Sequence, residues 1–96
     1  MAADEHGKKM TVEVVSASGL LWRGHAESVV ATTMDGEVGV LRHHEPMLAL
    51  LAPGEVRITK LSDDGGGVVK AYAEDGFLSV EKTITRIVAL RANLVD

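Results

Sequence analysis

Asp35-Gly36-Glu37-Val38-Gly39-Val40-Leu41, then Met47-Leu48-Ala49-Leu50-Leu51, then Pro53-Gly54-Glu55-Val56-Arg57-Ile58 is a run of short β-type segments punctuated by turn residues. Asp35-Gly36 is a strong hairpin signal, because both residue types tolerate positive φ. A short strand over 37–41 follows, then a polar loop over 42–46. The apolar piece 47–51 is compact, and its composition leaves strand and helix both open. Pro53-Gly54 turns the chain into a strand over 55–61, where Val56 and Ile58 face inward while Arg57 and Thr59 face outward.

The same grammar continues on both sides of this run. Residues 11–17 and 20–23 read as strands joined by Ser18-Gly19, and the β-branched run 28–33 leads into Asp35-Gly36. Beyond the loosest turn, Asp63-Asp64-Gly65-Gly66-Gly67, segments 68–73 and 77–81 read as a hairpin closed by Asp75-Gly76, and 84–90 as the last strand. Short strands at close spacing, with no long 3.6-residue period, predict an all-β sandwich or barrel rather than βαβ units. Val12, Val14, Val29, Val56, Ile58, Leu78, Val80 and Val88 are its expected core.

With 96 residues the chain makes one domain, since two cores of half that size would each need a metal or disulfide. The organisation expected is a flexible lead-in over 1–9, the β domain over 10–90 and a tail over 91–96. There is no Cys for a disulfide or thiolate site. The apolar runs are far shorter than the roughly 20 residues of a membrane span. The first nine residues carry Asp4, Glu5, Lys8 and Lys9, unlike a secretory signal or an acid-poor transit peptide. A net charge of −4 without a basic block argues against nucleic acid as partner, and three aromatics offer no base-stacking platform.

Reagents are scarce. His43-His44-Glu45 is the one cluster that suggests a metal, but neighbours in an extended loop point apart, leaving at most His43 and Glu45 where zinc needs three or four ligands. A solvated loop or a protein contact explains it better. Asp63 to Gly67 lacks the Lys-Ser/Thr and the helix of a phosphate loop. Ser16, Ser18 and Ser28 have no nucleophile-elbow context, and Lys82 lies too near the end of the chain for a carrier-domain lysine. A module with polar, glycine-bearing loops and no reagent acts by binding.

The stretch from Asp35 to Ile58 also resembles the epsilon subunit of F-type ATP synthases. That family has a Gly-Glu-hydrophobic-Gly-hydrophobic strand, a Pro-Gly-His-x-Pro loop and an apolar run closing in Pro-Gly before a strand with Arg. The positions here are Gly36 to Val40, Arg42-His43-His44-Glu45-Pro46, and Leu48 to Ile58. Val12 to Ala17, Trp22-Arg23-Gly24 and Gly76-Phe77-Leu78-Ser79-Val80 extend the likeness from Met10 to about Leu90. Three departures stand out: Arg42-His43 replaces Pro-Gly, Asp75 replaces the first Gly of a Gly-Gly pair, and the chain stops at Asp96, where many members begin a helical hairpin.

The resemblance implies a roughly ten-stranded β-sandwich without a C-terminal helical hairpin. It implies a non-catalytic rotor subunit of a proton-driven synthase, with no cofactor and no metal, linking the gamma subunit to the polar loops of the c-ring; alpha and beta subunits are further candidate partners. It places Asp35, Gly36 and Glu37 toward the c-ring and Ser16, His43 and His44 toward gamma; Arg42, a departure from the family pattern, adds a charge between these regions and is expected with the c-ring contacts. A leader unlike a transit peptide points to a bacterium, with the protein peripheral on the cytoplasmic face of the cell membrane. The alternative is a free-standing β-sandwich adaptor for another protein.

Overall fold

The computed structural model describes residues 9–95, folded as seven strands: β1 (Met10–Ser16), β2 (Gly19–Thr33), β3 (Gly36–Leu41), β4 (Met47–Leu50), β5 (Gly54–Lys60), β6 (Val68–Glu81) and β7 (Ile84–Val95). A single 3-10 turn, Ser62–Asp64, connects β5 to β6. The segment 47–51, ambiguous by composition, is a strand as far as Leu50 because Met47 and Ala49 pair with Val80 and Leu78 and turn toward the core.

Three strands are long, and each serves both layers. β2 pairs with β1 as far as Ala26, with β5 from Ala26 onward and with β3 from Ser28 onward. β6 pairs with β5 through Ala73 and with β4 from Phe77, and β7 follows β6 along its length while also lying parallel to β1 over Ile84–Val88. The result is a sandwich of two five-stranded layers, ten strand segments when counted by layer. Layer I runs β2-β1-β7-β6-β4, and layer II runs β3-β2-β5-β6-β7.

Changing layers reverses which side of a strand faces inward, so the buried alternation slips by one residue at each crease. In β6 the buried residues are Ala71 and Ala73 before the crease and Leu78 and Val80 after it; in β2 they are Ala26, then Val29, Ala31 and Thr33. The core between the layers is Val12, Val14, Val29, Val40, Val56, Ile58, Leu78 and Ile87 with small residues between them, all essentially inaccessible. Burying each such Val, Leu or Ile side chain is worth roughly 1.5–3 kcal/mol.

Several expectations change. Segments 20–23 and 28–33 are one strand, β2, and 68–73 and 77–81 are one strand, β6. Asp75-Gly76 is therefore a crease and not a hairpin. Positive φ at Asp75 (62°) bends the strand, and a Cβ on Gly76 would lie 1.9 Å from the Val88 carbonyl oxygen, so the two strands cross with no room for a side chain. Val88 points outward, and its neighbour Ile87 takes the core position. Residues 91–95, expected as a tail, continue β7 and pair with β6 from Glu74 to Lys70. The lead-in expected over 1–9 lies, except for Lys9, outside the described residues.

Candidate functional site

At one end of the sandwich, Thr33 organises the β2–β3 turn. Its hydroxyl accepts from the Asp35 N–H at 3.1 Å and donates to the Gly36 carbonyl at 2.7 Å. The two-residue loop is Met34-Asp35, one position earlier than the Asp35-Gly36 expected, because Thr33 and Gly36 are the opposed pair and Gly36 takes φ 111° as the first residue of β3. Met34, which the sequence reading passed over, stands 66% exposed at the tip. Glu37 projects onto the outer face of layer II, where its carboxylate meets Arg57 at 3.7 Å, and Arg57 also reaches Glu55 at 3.3 Å.

Arg42 does not join this group. It follows the far end of β3, and six residues at about 3.3 Å each put it about 20 Å along the strand from Gly36. It forms a tight turn with His43, closed by the His44 N–H donating to the Leu41 carbonyl at 3.2 Å. His43 has φ 67° at the third position of this turn, the conformation in which a type II turn favours Gly. The backbone thus keeps the shape suited to Pro-Gly although the side chains are Arg and His. His44 Nδ1 donates to the Glu45 carbonyl at 2.7 Å, fixing its ring over the loop.

Ser16 is at the opposite end of layer I from these histidines. Its hydroxyl accepts from the Ser18 N–H at 3.2 Å and shapes the β1–β2 turn. It borders a shallow groove floored by Phe77, Val88 and Leu90. The expected residues therefore fall into three places: Asp35, Gly36 and Glu37 at one turn, Arg42, His43 and His44 at a second, and Ser16 at a third.

The groove is part of a larger feature that the sequence reading missed. Register places Leu20 opposite Val15, Val15 opposite Val88, Val88 opposite Phe77 and Phe77 opposite Leu50, so five apolar side chains line up across the outer face of layer I. Leu20, Phe77 and Leu50 are 56, 37 and 67% exposed. The adjacent row is Arg23, Glu13, Arg86, Ser79 and Leu48, in which Arg86 Nε donates to Glu13 at 2.9 Å and Arg23 Nε lies 3.4 Å from the same carboxylate. Layer II differs: its outer face carries Glu37, Glu55, Arg57, Lys70 and Tyr72. Alternation in single strands could have suggested outward Val15 and Phe77, but only the register aligns them.

At the β6–β7 crease, Arg91 binds both Glu74 and Asp75, with its Nε donating to Glu74 at 2.9 Å, while the Tyr72 hydroxyl donates to Glu74 at 2.9 Å. The hydrogen bonds from Arg91, and then from Tyr72, hold the Glu74 carboxyl below its ordinary range. The same bond to Glu74 raises the Tyr72 phenol. Among the described residues no three His, Asp or Glu side chains are arranged to hold a metal ion, and no helix is long and apolar enough to cross a membrane.

Residues 9–95 match the family of the ATP synthase delta/epsilon chain β-sandwich domain. The ATP synthase epsilon chain of Micrococcus luteus is 43% identical over 88 residues, covering 92% of this chain and 93% of that protein. That of Frankia casuarinae is 42% identical, covering 86% and 94%. That of Thermobifida fusca is 39% identical over 89 residues, and there the chain spans 63% of the relative's length. A chain of the Euglena gracilis mitochondrial ATP synthase superposes with a TM-score of 0.79 at 22% identity, covering 93% of this chain and 57% of that one, a likeness of fold.

Proposed function

The chain belongs to the ATP synthase delta/epsilon family, in its β-sandwich domain, and from that premise we propose that it is a non-catalytic central-stalk subunit, joining a gamma subunit to the c-ring of a proton-driven synthase on the cytoplasmic face of a bacterial membrane. The observation that carries this reading is the contrast between its two outer faces. An aligned apolar row on layer I is the kind of patch that marks a protein–protein surface, whereas charged and polar side chains dominate layer II. The apolar face suits a lasting attachment to gamma. The Met34-Asp35 turn and Glu37, exposed and held rigidly by Thr33, suit a polar contact with the loops of the ring. Arg42, expected with them, serves a separate contact beside His43 and His44.

Glu37→Lys in the assembled enzyme tests the ring contact. The exposed pair with Arg57 is worth only about 0.2–1 kcal/mol, so the domain should stay folded. Disulfide cross-linking between the 34–37 turn and the c-ring, together with proton-coupled synthesis, should fall, and Glu37→Gln should fall less. Unchanged cross-linking and synthesis would mean that the ring contact lies elsewhere, even with the family membership standing.

A further inference from the structure

We infer that the segment received by the outer face of layer I is an α-helix of about 13 residues, with one apolar side chain per turn and an acidic residue at the end that meets Arg23. The inference rests on the proposed attachment to gamma and specifies the chemistry of that attachment.

The row Leu20, Val15, Val88, Phe77, Leu50 crosses five neighbouring strands. Strands lie about 4.8 Å apart, so the row is about 19 Å long and presents an apolar side chain at each step. A helix repeats its apolar face every 5.4 Å and rises 1.5 Å per residue, so about 13 residues cover the row with contacts nearly in step. An extended segment laid across the same face would offer a side chain only every 6.8 Å or so, and would leave its own backbone groups without partners, since the strands beneath already bond to each other.

Charge sets the polarity. In the row beside the apolar one, Arg23 and Arg86 share Glu13, which is only 16% exposed. Arg86 is further balanced by Glu81, 3.9 Å away in the row beyond. Among the described residues Arg23 has the single 3.4 Å contact with Glu13, and its side chain is 62% exposed. The uncompensated positive charge is therefore at the Leu20 end, and the Leu50 end continues apolar through Leu48. A helix docked here gains from a carboxylate near Leu20 and from uncharged residues near Leu50.

The test uses the chain co-expressed with the gamma subunit encoded in the same genome. Photo-reactive residues placed at 20 and at 50 should cross-link to two positions about 13 residues apart in one helical segment of gamma, the position near residue 20 flanked by Asp or Glu. Leu50→Ala and Phe77→Ala should each weaken the complex about tenfold or more, Arg23→Glu should weaken it while Arg23→Lys binds nearly normally, and Lys70→Glu on layer II should have little effect. If the complex forms but the cross-links land on loops or on unrelated segments, or if the layer I variants bind normally, the helix is wrong while attachment to gamma stands. If the wild-type pair does not associate, the attachment and the helix fall together.

Discussion

Replacing His43 by Gly should make the domain more stable, although it deletes a side chain. His43 occupies the left-handed region at φ 67° in a turn closed by the His44 N–H and the Leu41 carbonyl at 3.2 Å. A non-glycine residue there carries a cost of roughly 1–2 kcal/mol from its Cβ. Glycine removes that cost and adds freedom to the unfolded chain worth roughly 0.4–1 kcal/mol in the opposite sense. The balance is a gain of about 0.5–1 kcal/mol, and since 1 kcal/mol moves the midpoint of a domain this size by about 4–8 °C, Tm should rise by about 2–8 °C. Thermal unfolding followed by the far-UV signal, with urea titration for the free energy, measures it. His43→Ala is the control, because it deletes the imidazole and keeps the Cβ; it should change stability by no more than about 0.5 kcal/mol. A His43→Gly domain no more stable than His43→Ala would refute the strain assigned to the turn.

Gly76→Ala should destabilise by about 3 kcal/mol or more, because its Cβ would strike the Val88 backbone and the crease cannot open without breaking β6–β7 pairing; urea unfolding reads this directly. Glu74 should titrate below an ordinary glutamate in an NMR pH series, and Arg91→Gln should move it back up. Because its folded-state pKa is depressed, the Glu74 contribution to stability is present above the unfolded value and lost as pH falls through the folded one, so Glu74→Gln should flatten the acid limb of the stability profile. Deleting residues 91–96 should lower stability measurably and shorten amide protection in residues 70–74 of β6, their pairing partners, as hydrogen exchange would show.

Most of the core and the all-β class could be read from residue alternation, and seven of the eight expected core residues are buried. The exception, Val88, failed because the β7 run Ile87-Val88 is apolar on both sides, and only pairing with β1 and β6 decides which residue faces in. The creases were misread for one physical reason. A strand passing from one layer to the other shifts its buried phase by one residue, and that shift, next to Asp75-Gly76, looks in sequence like two strands and a turn. Asp and Gly supply positive φ equally well to a hairpin and to a bend. As for the candidate site, the turn at Asp35 was visible because turn chemistry is local, whereas nothing in Arg42-His43 signals the left-handed turn that the backbone makes there. The separation of Arg42 from Glu37 is set by the length of β3, and the row across layer I depends on partners up to 73 positions apart in the chain, such as Val15 and Val88.

The parallel pairing of β1 with β7 also governs how the molecule comes into being. The first strand of the described fold finds one of its two neighbours only when residues 84–88 have been made. Until then β1 has β2 alone, and the apolar row is missing its middle member, Val88. A chain emerging from the ribosome at about 5–20 residues per second therefore spends several seconds with an unpaired edge and a half-assembled core. Closing contacts of such long sequence separation is slow by the standards of small domains, in the millisecond-to-second range. Nascent molecules should thus be most open to chaperones, proteases and one another until residues 84–88 emerge, and β7 decides whether the first strand is sheltered at all.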